Sequence, residues 1–468
     1  MTVLPRGVER MMRLRPTVPP GSPAAADPGA RWAPARALSR AVLLTGLLII
    51  VGVLAGRVDL VVLAAPFAIG TALALRHRPA RLPEVSVGTP DYLLAEGGEF
   101  ATTLSVGNAD DVPYDLVVVR TTVGPWLRVR HGDRPYVTPA PRGAIADVTL
   151  DGEALRWGRH GIGPTVARAV ACDGLLVSAP AVAGRRDLTV YPVTEPFEAD
   201  DAMPRAAGLV GAHRSRRPGE GGELAGVRPF VPGDRLRRID WRVSLRTRAL
   251  HVAATLSDRD AEVVLLLDVL TEAGRSGGVH GPASVLDTTV RAAAGIAEHY
   301  LHRGDRVSLV EYGSRLRRLR PASGRRQYLT VLEWLLDVRP ALPGYAPPGH
   351  AFGRQLLPGN ALIIVLTPLI EQRSAAMVAR LARSGHFLIA VDTLPRTLTL
   401  PVSGAWGQVA HRLWLLERAN TIGQLREHGI PVVTWGGAGS LDQVLRDVSR
   451  LAVAVGVAAL LARLIRRR

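Results

Sequence analysis

The 468-residue chain contains no lysine, three asparagines and a single cysteine. Every permanently basic side chain is therefore an arginine, and a phosphate-binding loop of the Gly-x-x-x-x-Gly-Lys type is excluded. Cys172 has no cysteine to pair with, which fits a reducing compartment but is equally allowed outside the cell. The formal net charge of +17 is a weaker indication of a polyanion partner than a clustered Lys and Arg patch. A nucleic-acid partner is therefore not expected.

The sequence also lacks a recognisable catalytic pattern. No spacing places a nucleophile beside a base, or an acid beside a base, in one expected pocket. Cys172 and His160 come nearest to a thiol pair, but a lone cysteine in a Gly-rich loop is more often inert. We therefore predict that the chain is not an enzyme.

Long apolar runs are present near the N-terminus. Residues 1–37 are rich in Pro, Arg and Ala without hydrophobic periodicity, which predicts a disordered tail. The runs 41–55 and 58–75 each approach the roughly 20 residues that cross a bilayer as a helix. Because two residues separate them, residues 38–78 are predicted to form a transmembrane helical hairpin. A cleaved signal peptide and a single span are the alternatives.

Charge sets the expected orientation of this hairpin. Arginines flank both of its outer ends, which predicts that both ends face the cytoplasm. Residues 441–468 contain a twelve-residue apolar run, 451–462, that is too short to span and is followed by arginines. We expect a C-terminal apolar and basic helix there, on the core or at the membrane surface. The prediction is a multi-pass inner-membrane protein in contact with the lipid bilayer, with cytoplasmic soluble domains.

Two hydrophobic patterns divide the soluble part. Residues 84–195 show short alternating runs between turns, which predicts an all-β, sandwich-like module. Residues 196–222 are polar and rich in Arg and Gly, as in a linker. In residues 261–440 continuous apolar strands alternate with amphipathic helices, which predicts a doubly wound α/β domain with a parallel sheet. The chain is thus predicted to be multidomain.

Residues 223–260 carry the most informative motif, Arg-Pro-Phe-Val-Pro-Gly-Asp-Arg-Leu-Arg-Arg-Ile-Asp-Trp at 228–241. Its Pro-Gly-Asp triplet is strong turn chemistry. Arginines on either side of Asp234 and Asp240 would hold both carboxylates ionised. This favours a docking or folding element over a catalytic pair. Trp241 is predicted to anchor the core, with partner contact as the alternative.

These residues resemble the signature of a bacterial membrane-anchored family of unknown function, the domain-of-unknown-function family fifty-eight. The matching positions are Gly222, Glu223, Arg228, Pro232, Gly233, Asp234, Arg237, Ile239, Asp240, Trp241 and Arg246. A weaker resemblance lies at 156–164 and 172–175. The family brings no established activity. Its members are commonly encoded beside MoxR-type AAA+ ATPases, which implies a membrane adaptor or assembly factor that works with such an ATPase.

The resemblance selects the residues expected to form the functional surface. They are Glu223, Arg228, Pro232, Gly233, Asp234, Arg237, Asp240, Trp241 and Arg246. These residues act as an interaction surface, or they hold the signature segment in shape. Structural maintenance alone would give the same pattern of residue types.

The α/β region resembles a von Willebrand factor A domain, in which Asp-x-Ser-x-Ser holds a divalent ion, usually magnesium, with hard oxygen ligands. Here the segment is Asp268-Val269-Leu270-Thr271-Glu272, so Leu270 replaces the first hydroxyl and Glu272 the second. The later loop offers Thr367 without an acidic neighbour. Asp268 and Glu272 are therefore weak metal candidates, and Asp268 otherwise caps a strand end. We expect no cofactor, although a weaker Mg²⁺ site would be rescued by Glu272 and Thr271.

Two alternative functions follow from these features. A divalent-metal-dependent ligand-binding module would require Asp268 with Glu272. A polyanion-binding membrane protein would use arginine runs such as Arg315, Arg317, Arg318 and Arg320. That run contains no aromatic residues on which bases could stack. It is also what a charged sheet edge that resists aggregation would look like.

Overall fold

The computed structural model of the chain describes residues 12–16, 32–88, 92–132, 134–193, 218–231, 239–256, 262–342, 357–358, 361–396, 398 and 404–436. These belong to two compact units, Met1–Val190 and Tyr191–Arg468. The prediction of a multidomain chain is therefore confirmed. The predicted C-terminal helix at 441–468 lies outside the described residues.

Two apolar helices, α1 (Arg36–Leu54) and α2 (Val58–Ala74), lie in the first unit. A Cβ added at Gly52 would lie 2.9 Å from Cγ2 of Val61, so glycine is what lets the two helices approach so closely. Among the described helices, α1 is the one long and apolar enough to cross a membrane. A signal sequence near the N-terminus meets the same test. α2 has 17 residues and is shorter than α1, so the second span of the predicted hairpin is less well supported than the first.

The described strands of the first unit form two antiparallel sheets. One has the order β1-β9-β5-β3, with β7 also on β9, and contains β1 (Met12–Pro16), β3 (Glu84–Val87), β5 (Glu99–Gly107), β7 (Leu127–Val129) and β9 (Ala144–Ala154). The other contains β2 (Trp32–Pro34), β4 (Leu94–Ala95), β6 (Tyr114–Val123), β8 (Tyr136–Ala140), β10 (Gly158–Ala171), β11 (Leu176–Ser178), β12 (Ala181–Ala183) and β13 (Arg186–Tyr191). Alternate residues such as Phe100 and Leu104 of β5 and Val117 and Val119 of β6 form the common core.

Two of these strands lie in the segment that the sequence predicts to be a disordered tail. β1 pairs with β9, and β2 pairs with β11. Both segments therefore depart from that expectation. Backbone pairing with a distant strand needs no hydrophobic periodicity in the added strand, which is why the sequence pattern does not reveal it.

The second unit begins with a two-stranded antiparallel sheet of β14 (Pro218–Pro229) and β15 (His251–Leu256). The short helix α3 (Trp241–Thr247) lies between them in the chain. β14 starts inside the predicted linker 196–222. Its partner strand is more than 20 residues further along the chain, so the local sequence pattern does not reveal the pairing. We call residues 218–231 and 239–256 together the signature unit.

A six-stranded sheet follows, with the order β18-β17-β16-β19-β20-β21. Its strands are β16 (Glu262–Asp268), β17 (Arg306–Tyr312), β18 (Arg318–Ala322), β19 (Leu362–Thr367), β20 (Phe387–Asp392) and β21 (Val432–Thr434). β18 is an antiparallel edge strand, whereas the other neighbours pair in parallel. The chain connects them through α4 (Val285–His302), α5 (Arg325–Leu335), α6 (Gln372–Arg383) and α7 (Ala405–Glu427).

Every residue of β16 is buried, as a central strand covered on both faces requires. Val264 and Leu266 pack on one face with Val378 of α6 and Leu425 of α7. β17 and β19 lie on opposite sides of β16, so the order of strands along the chain reverses there. Crevices at the carboxyl ends of strands beside such a reversal are the usual ligand sites of open α/β sheets.

Candidate interaction site

Three segments of the signature unit meet at Val252 of β15. Arg228 of β14 pairs with Val252 on one side, and Ile239 bridges to Val252 on the other. Val252 is buried, and the N–H of Asp240 donates to the carbonyl of His251 at 2.9 Å. Signature positions that lie eleven residues apart in the sequence are thus joined through one strand.

Asp240 caps the short helix that follows. Its Oδ1 accepts a hydrogen bond from the N–H of Val243 at 3.1 Å, which satisfies a donor that the first helical turn would otherwise leave unpaired. Ser244 fixes the helix to β15, because its Oγ accepts from the N–H of His251 at 2.9 Å. Arg246 lies in the last turn, where a positive charge is favourable. The described contact of the Asp240 carboxylate is therefore a helix cap.

Trp241 and Leu245 lie one turn apart on the outer face of α3. Trp241 is 62% exposed and Leu245 is 78% exposed. The expectation that Trp241 anchors the core is therefore wrong: the cap turns the first residue of the helix away from β15. Exposed arginines border this apolar pair, namely Arg242, Arg246 and Arg248.

The structure describes only some of the other predicted signature residues. Glu223 lies in β14 where the register with β15 shifts between Gly219 and Leu224. Arg228 donates from Nη1 to the carbonyl of Pro229 at 3.1 Å. Pro232, Gly233, Asp234 and Arg237 lie outside the described residues. The arginine network expected around Asp234 thus stays a prediction.

A second group of polar side chains lies at the carboxyl edge of the sheet, where the strand order reverses. Asp268, at the end of β16, is buried, and its Oδ2 accepts from the hydroxyl of Thr367 at 2.7 Å. Its Oδ1 accepts from the N–H of Leu270 at 3.2 Å. Burial raises the pKa of Asp268, and hydrogen bonds from Ser374, Thr367 and Leu270 oppose the rise. The carboxylate is therefore surrounded by protein donors.

The two weak metal candidates do not converge on one point. Oε1 of Glu272 lies 3.5 Å from the N–H of Leu286 in the first turn of α4. The hydroxyl of Thr271 donates to Glu371 at 2.5 Å. Leu270 is buried in the core. Glu272 thus serves the start of a helix while Asp268 serves a strand end.

The donor set at this edge does not fit a divalent ion. Mg²⁺ requires several hard oxygens in near-octahedral array, but both oxygens of Asp268 accept hydrogen bonds from protein donors. The hydroxyl of Thr367 is also occupied, since it accepts from the N–H of Leu369 at 3.1 Å. Within the described ranges no three His, Cys, Asp or Glu side chains form a metal-binding group.

Arg418 of α7, which no sequence motif singles out, completes the edge. Its Nη2 lies 2.5 Å from Oδ1 of Asp392 at the end of β20, and its Nε donates to the carbonyl of Pro368 at 3.0 Å. The side chain is 11% exposed. These partners are 26 and 50 residues away in sequence. No local signal distinguishes this arginine from the many exposed ones.

One arginine of the run 315–320 has a structural role. The guanidinium of Arg317 lies 4.3 Å above the ring of Trp334 and donates to the carbonyl of Trp334 at 2.7 Å. Its Nε is 3.4 Å from Oε2 of Glu311, which is buried. Burial raises the pKa of Glu311 to about 7, with Arg317 opposing the rise. Arg317 therefore stabilises the edge of the sheet.

Cys172 and His160 do not form a thiol pair. The Sγ of Cys172 lies 3.6 Å from the carbonyl of His77, whereas Nε2 of His160 lies 2.6 Å from the carbonyl of Arg156. Burial raises the pKa of Cys172 and so disfavours the reactive thiolate. Neither residue is poised for nucleophilic chemistry.

One known protein family matches the second unit of the chain. The family model described as "Protein of unknown function DUF58" matches residues 226–409, from β14 to the start of α7. The resemblance carried by the motif is thereby confirmed over this region. Uncharacterized proteins of Mycobacterium bovis and Mycobacterium tuberculosis are 31% identical over an alignment of 205 residues, which covers 42% of this chain. The chain covers 62% of the length of these relatives.

Solved structures match smaller parts of the chain. A non-cellulosomal cohesin from Archaeoglobus fulgidus is 12% identical with a TM-score of 0.19, covering 24% of this chain and 91% of the cohesin. An Escherichia coli alpha-2-macroglobulin fragment is 21% identical with a TM-score of 0.20, covering 27% of this chain and 20% of that chain.

Proposed function

We propose that this protein is a non-catalytic, membrane-anchored interaction protein whose signature unit is the surface on which a partner docks. The exposure of Trp241 and Leu245 on α3 carries this proposal. Two large apolar side chains exposed one turn apart contribute nothing to the core, and a folded chain gains by covering them. Tryptophan is also enriched among the residues that dominate binding energies.

The charges around this pair indicate the chemistry of the partner's surface. Arg242, Arg246 and Arg248 are exposed beside Trp241 and Leu245, so the complementary surface is an apolar pocket bordered by carboxylates. The family resemblance implies a MoxR-type AAA+ ATPase in this position. The protein then acts as an adaptor or assembly factor that holds the ATPase at the membrane.

The membrane anchor is the α1–α2 hairpin, inserted in the inner membrane with both outer ends in the cytoplasm. Support comes from the apolar side chains that both helices leave uncovered, such as Leu43, Leu54 and Val58. The α/β sheet of the second unit is a metal-poor von Willebrand factor A-like domain. Its parallel strands, antiparallel edge strand and helical connections support that assignment.

Affinity purification of the tagged full-length protein from its own detergent-solubilised membranes, followed by mass spectrometry, tests the partner. The variant is Trp241→Ala with Leu245→Ala. The matched control is Leu342→Ala. Leu342 is 72% exposed and lies in the same compact unit, Tyr191–Arg468, but it is distant in sequence from the signature unit. Loss of two central contacts weakens an interface by about thirtyfold or more. We expect an AAA+ ATPase with wild type and control but not with the double variant.

Two outcomes overturn the proposal. In the first, no ATPase co-purifies with the wild-type protein. In the second, the ATPase is retained equally by the double variant, which would move the docking surface elsewhere. Because both side chains are already exposed, the double variant is expected to fold. Circular dichroism of the purified double variant checks this.

Labelling of introduced cysteines in intact cells tests the anchor. Arg36→Cys and Arg76→Cys mark the outer ends of the hairpin, and Ala55→Cys marks its turn. The native Cys172 is buried and serves as background. A membrane-impermeant thiol reagent is expected to label only Ala55→Cys from outside the inner membrane. Labelling of Arg36→Cys or Arg76→Cys from that side would indicate a single span.

A further inference from the structure

The first half of α7 projects beyond the sheet. Arg418 contacts Pro368 and Asp392 at the carboxyl ends of β19 and β20. The helix then runs towards the amino edge, where Leu425 is buried in the core and the chain turns into β21. Residues 405–417 therefore extend past the carboxyl ends of the strands. At 1.5 Å per residue this projection is about 20 Å long. We call it the α7 arm.

An apolar stripe runs along the α7 arm, and none of the described residues packs over it. Trp406, Val409, Leu413 and Leu416 are 87%, 57%, 65% and 63% exposed. Their spacing of three, four and three residues places them on one face of the helix. This is the a and d spacing of a coiled-coil seam. Burial of such a stripe against a second helix would remove its apolar surface from water.

The polar residues beside the stripe identify that helix. With Trp406 and Leu413 at a positions, the next a position is Asn420, which is exposed. A single Asn at an a position fixes register and oligomeric state in coiled coils, at some cost in stability. The seam thus specifies a defined pairing in addition to apolar burial.

Two exposed charges flank the same seam. Arg412 occupies a g position and Glu417 the following e position, five residues later. In a parallel two-stranded coiled coil a g residue lies next to the following e residue of the partner helix. Arg412 of each copy would therefore meet Glu417 of the other, giving two ion pairs by symmetry. An antiparallel pair would not bring these two residues together.

We propose that residues 405–420 of two copies of this chain pair as a parallel, two-stranded coiled coil. The same surface patch is used by both copies, which is the property of a closed twofold dimer. Between residues 405 and 417 the arm carries one Arg and one Glu, so it lacks the basic face that binds anionic lipid. This pairing does not depend on the partner of the signature unit.

Disulfide formation between full-length chains in native membranes tests the pairing and its direction. Trp406→Cys and Asn420→Cys place thiols at the two ends of the seam, and Leu415→Cys places one on the opposite face, where Leu415 is 43% exposed. With mild oxidation, both end variants are expected to form linked dimers, while Leu415→Cys stays monomeric. A parallel pair links both ends to themselves, whereas an antiparallel pair links neither.

Exchange of the flanking charges provides a second, independent readout. In the Asn420→Cys background, Arg412→Glu or Glu417→Arg alone places like charges across the seam, and we expect the yield of linked dimer to fall severalfold. The double exchange restores the opposite charges and should restore the yield. Exposed charges at these positions leave folding of the monomer unaffected.

Three results overturn the proposal. Equal crosslinking of Leu415→Cys would indicate random collision. Insensitivity to the charge exchange would contradict the register in which Arg412 of one copy meets Glu417 of the other. If Trp406→Cys forms no disulfide yet is protected from a water-soluble thiol reagent in membranes, the stripe lies against lipid instead of a second copy.

Discussion

The hydroxyl of Thr367 donates to Oδ2 of Asp268 across 2.7 Å, which joins the carboxyl ends of two neighbouring parallel strands. This contact lies where the order of strands reverses, the place where open α/β sheets usually bind ligands. Here the position is occupied by hydrogen bonds within the protein. The edge of the sheet is thus a closed polar cluster. The exposed apolar side chains that we propose as interaction surfaces lie elsewhere, on α3 and the α7 arm.

Thr367→Val is expected to destabilise the centre of the sheet. Valine keeps the shape of threonine but removes a donor from a buried carboxylate oxygen, at a cost of about 1–3 kcal/mol. Hydrogen exchange of peptides covering β16 and β19 in the full-length protein should accelerate roughly tenfold or more. The control is Thr330→Val, because Thr330 is exposed and its hydroxyl donates to the carbonyl of Arg326 in its own helix. Equal acceleration in the control would contradict the role of Thr367.

Glu311 is expected to make the sheet less stable at alkaline pH. Its pKa rises from 4.5 to about 7 because it is buried, and the nearby Arg315, Arg317 and Arg339 only partly oppose this. The folded state therefore binds the proton more tightly than the unfolded chain. That stabilisation is complete below about pH 4.5 and is lost as the pH rises through about 7. The full difference corresponds to about 3 kcal/mol.

Glu311→Gln isolates this contribution, since glutamine does not titrate. Thermal unfolding of wild type and variant at about pH 5 and about pH 8 gives two differences. We expect the variant to gain stability relative to wild type as the pH increases, because wild type alone carries the buried charge. A gap that is independent of pH would show that Glu311 does not titrate in this range.

Asp240 is expected to act on α3 through its cap. Asp240→Ala should destabilise the helix by about 1 kcal/mol, whereas Asp240→Ser keeps an oxygen acceptor and should cost much less. Hydrogen exchange across residues 241–247 measures the difference, and ATPase recovery should follow the same order if the cap positions Trp241. If Asp240→Ser loses the ATPase as fully as Asp240→Ala, the negative charge itself contacts the partner.

Magnesium is expected to leave the stability of the protein unchanged. Both oxygens of Asp268 accept hydrogen bonds from protein donors, and Glu272 faces the start of α4. An ion would have to displace these donors and give up part of its hydration in return for few ligands. Thermal unfolding with and without millimolar Mg²⁺ should coincide. A stabilisation that disappears in Asp268→Asn would instead reveal a metal site.

Local sequence signals located several parts of this structure. The continuous apolar run 263–267 of β16 indicates a strand buried on both faces, because all five of its side chains are apolar, and all seven residues of β16 are buried. The same reasoning locates the two apolar helices near the N-terminus, α1 and α2. The motif at 228–241 is also readable from the sequence, since its turn and charge chemistry is local, and it lies within the region that matches the family model.

Other features depended on contacts between distant residues. The sequence placed Trp241 in the core, because an indole is usually buried; the Asp240 cap and the pairing with β15 instead leave it 62% exposed. Exposure is set by which side of a short helix packs, and a seven-residue helix is too short to show a periodicity that reveals that side.

The chain by itself determined which segments are apolar, where strands and helices alternate, and that neither a Gly-x-x-x-x-Gly-Lys phosphate loop nor an internal disulfide is available. Tertiary structure alone decided that Arg418 contacts Asp392 and Pro368. It also decided that the apolar stripe of the α7 arm is exposed. The reason is physical: propensity and periodicity act over a few residues, whereas partners for a buried charge come from strands and helices far apart in the sequence.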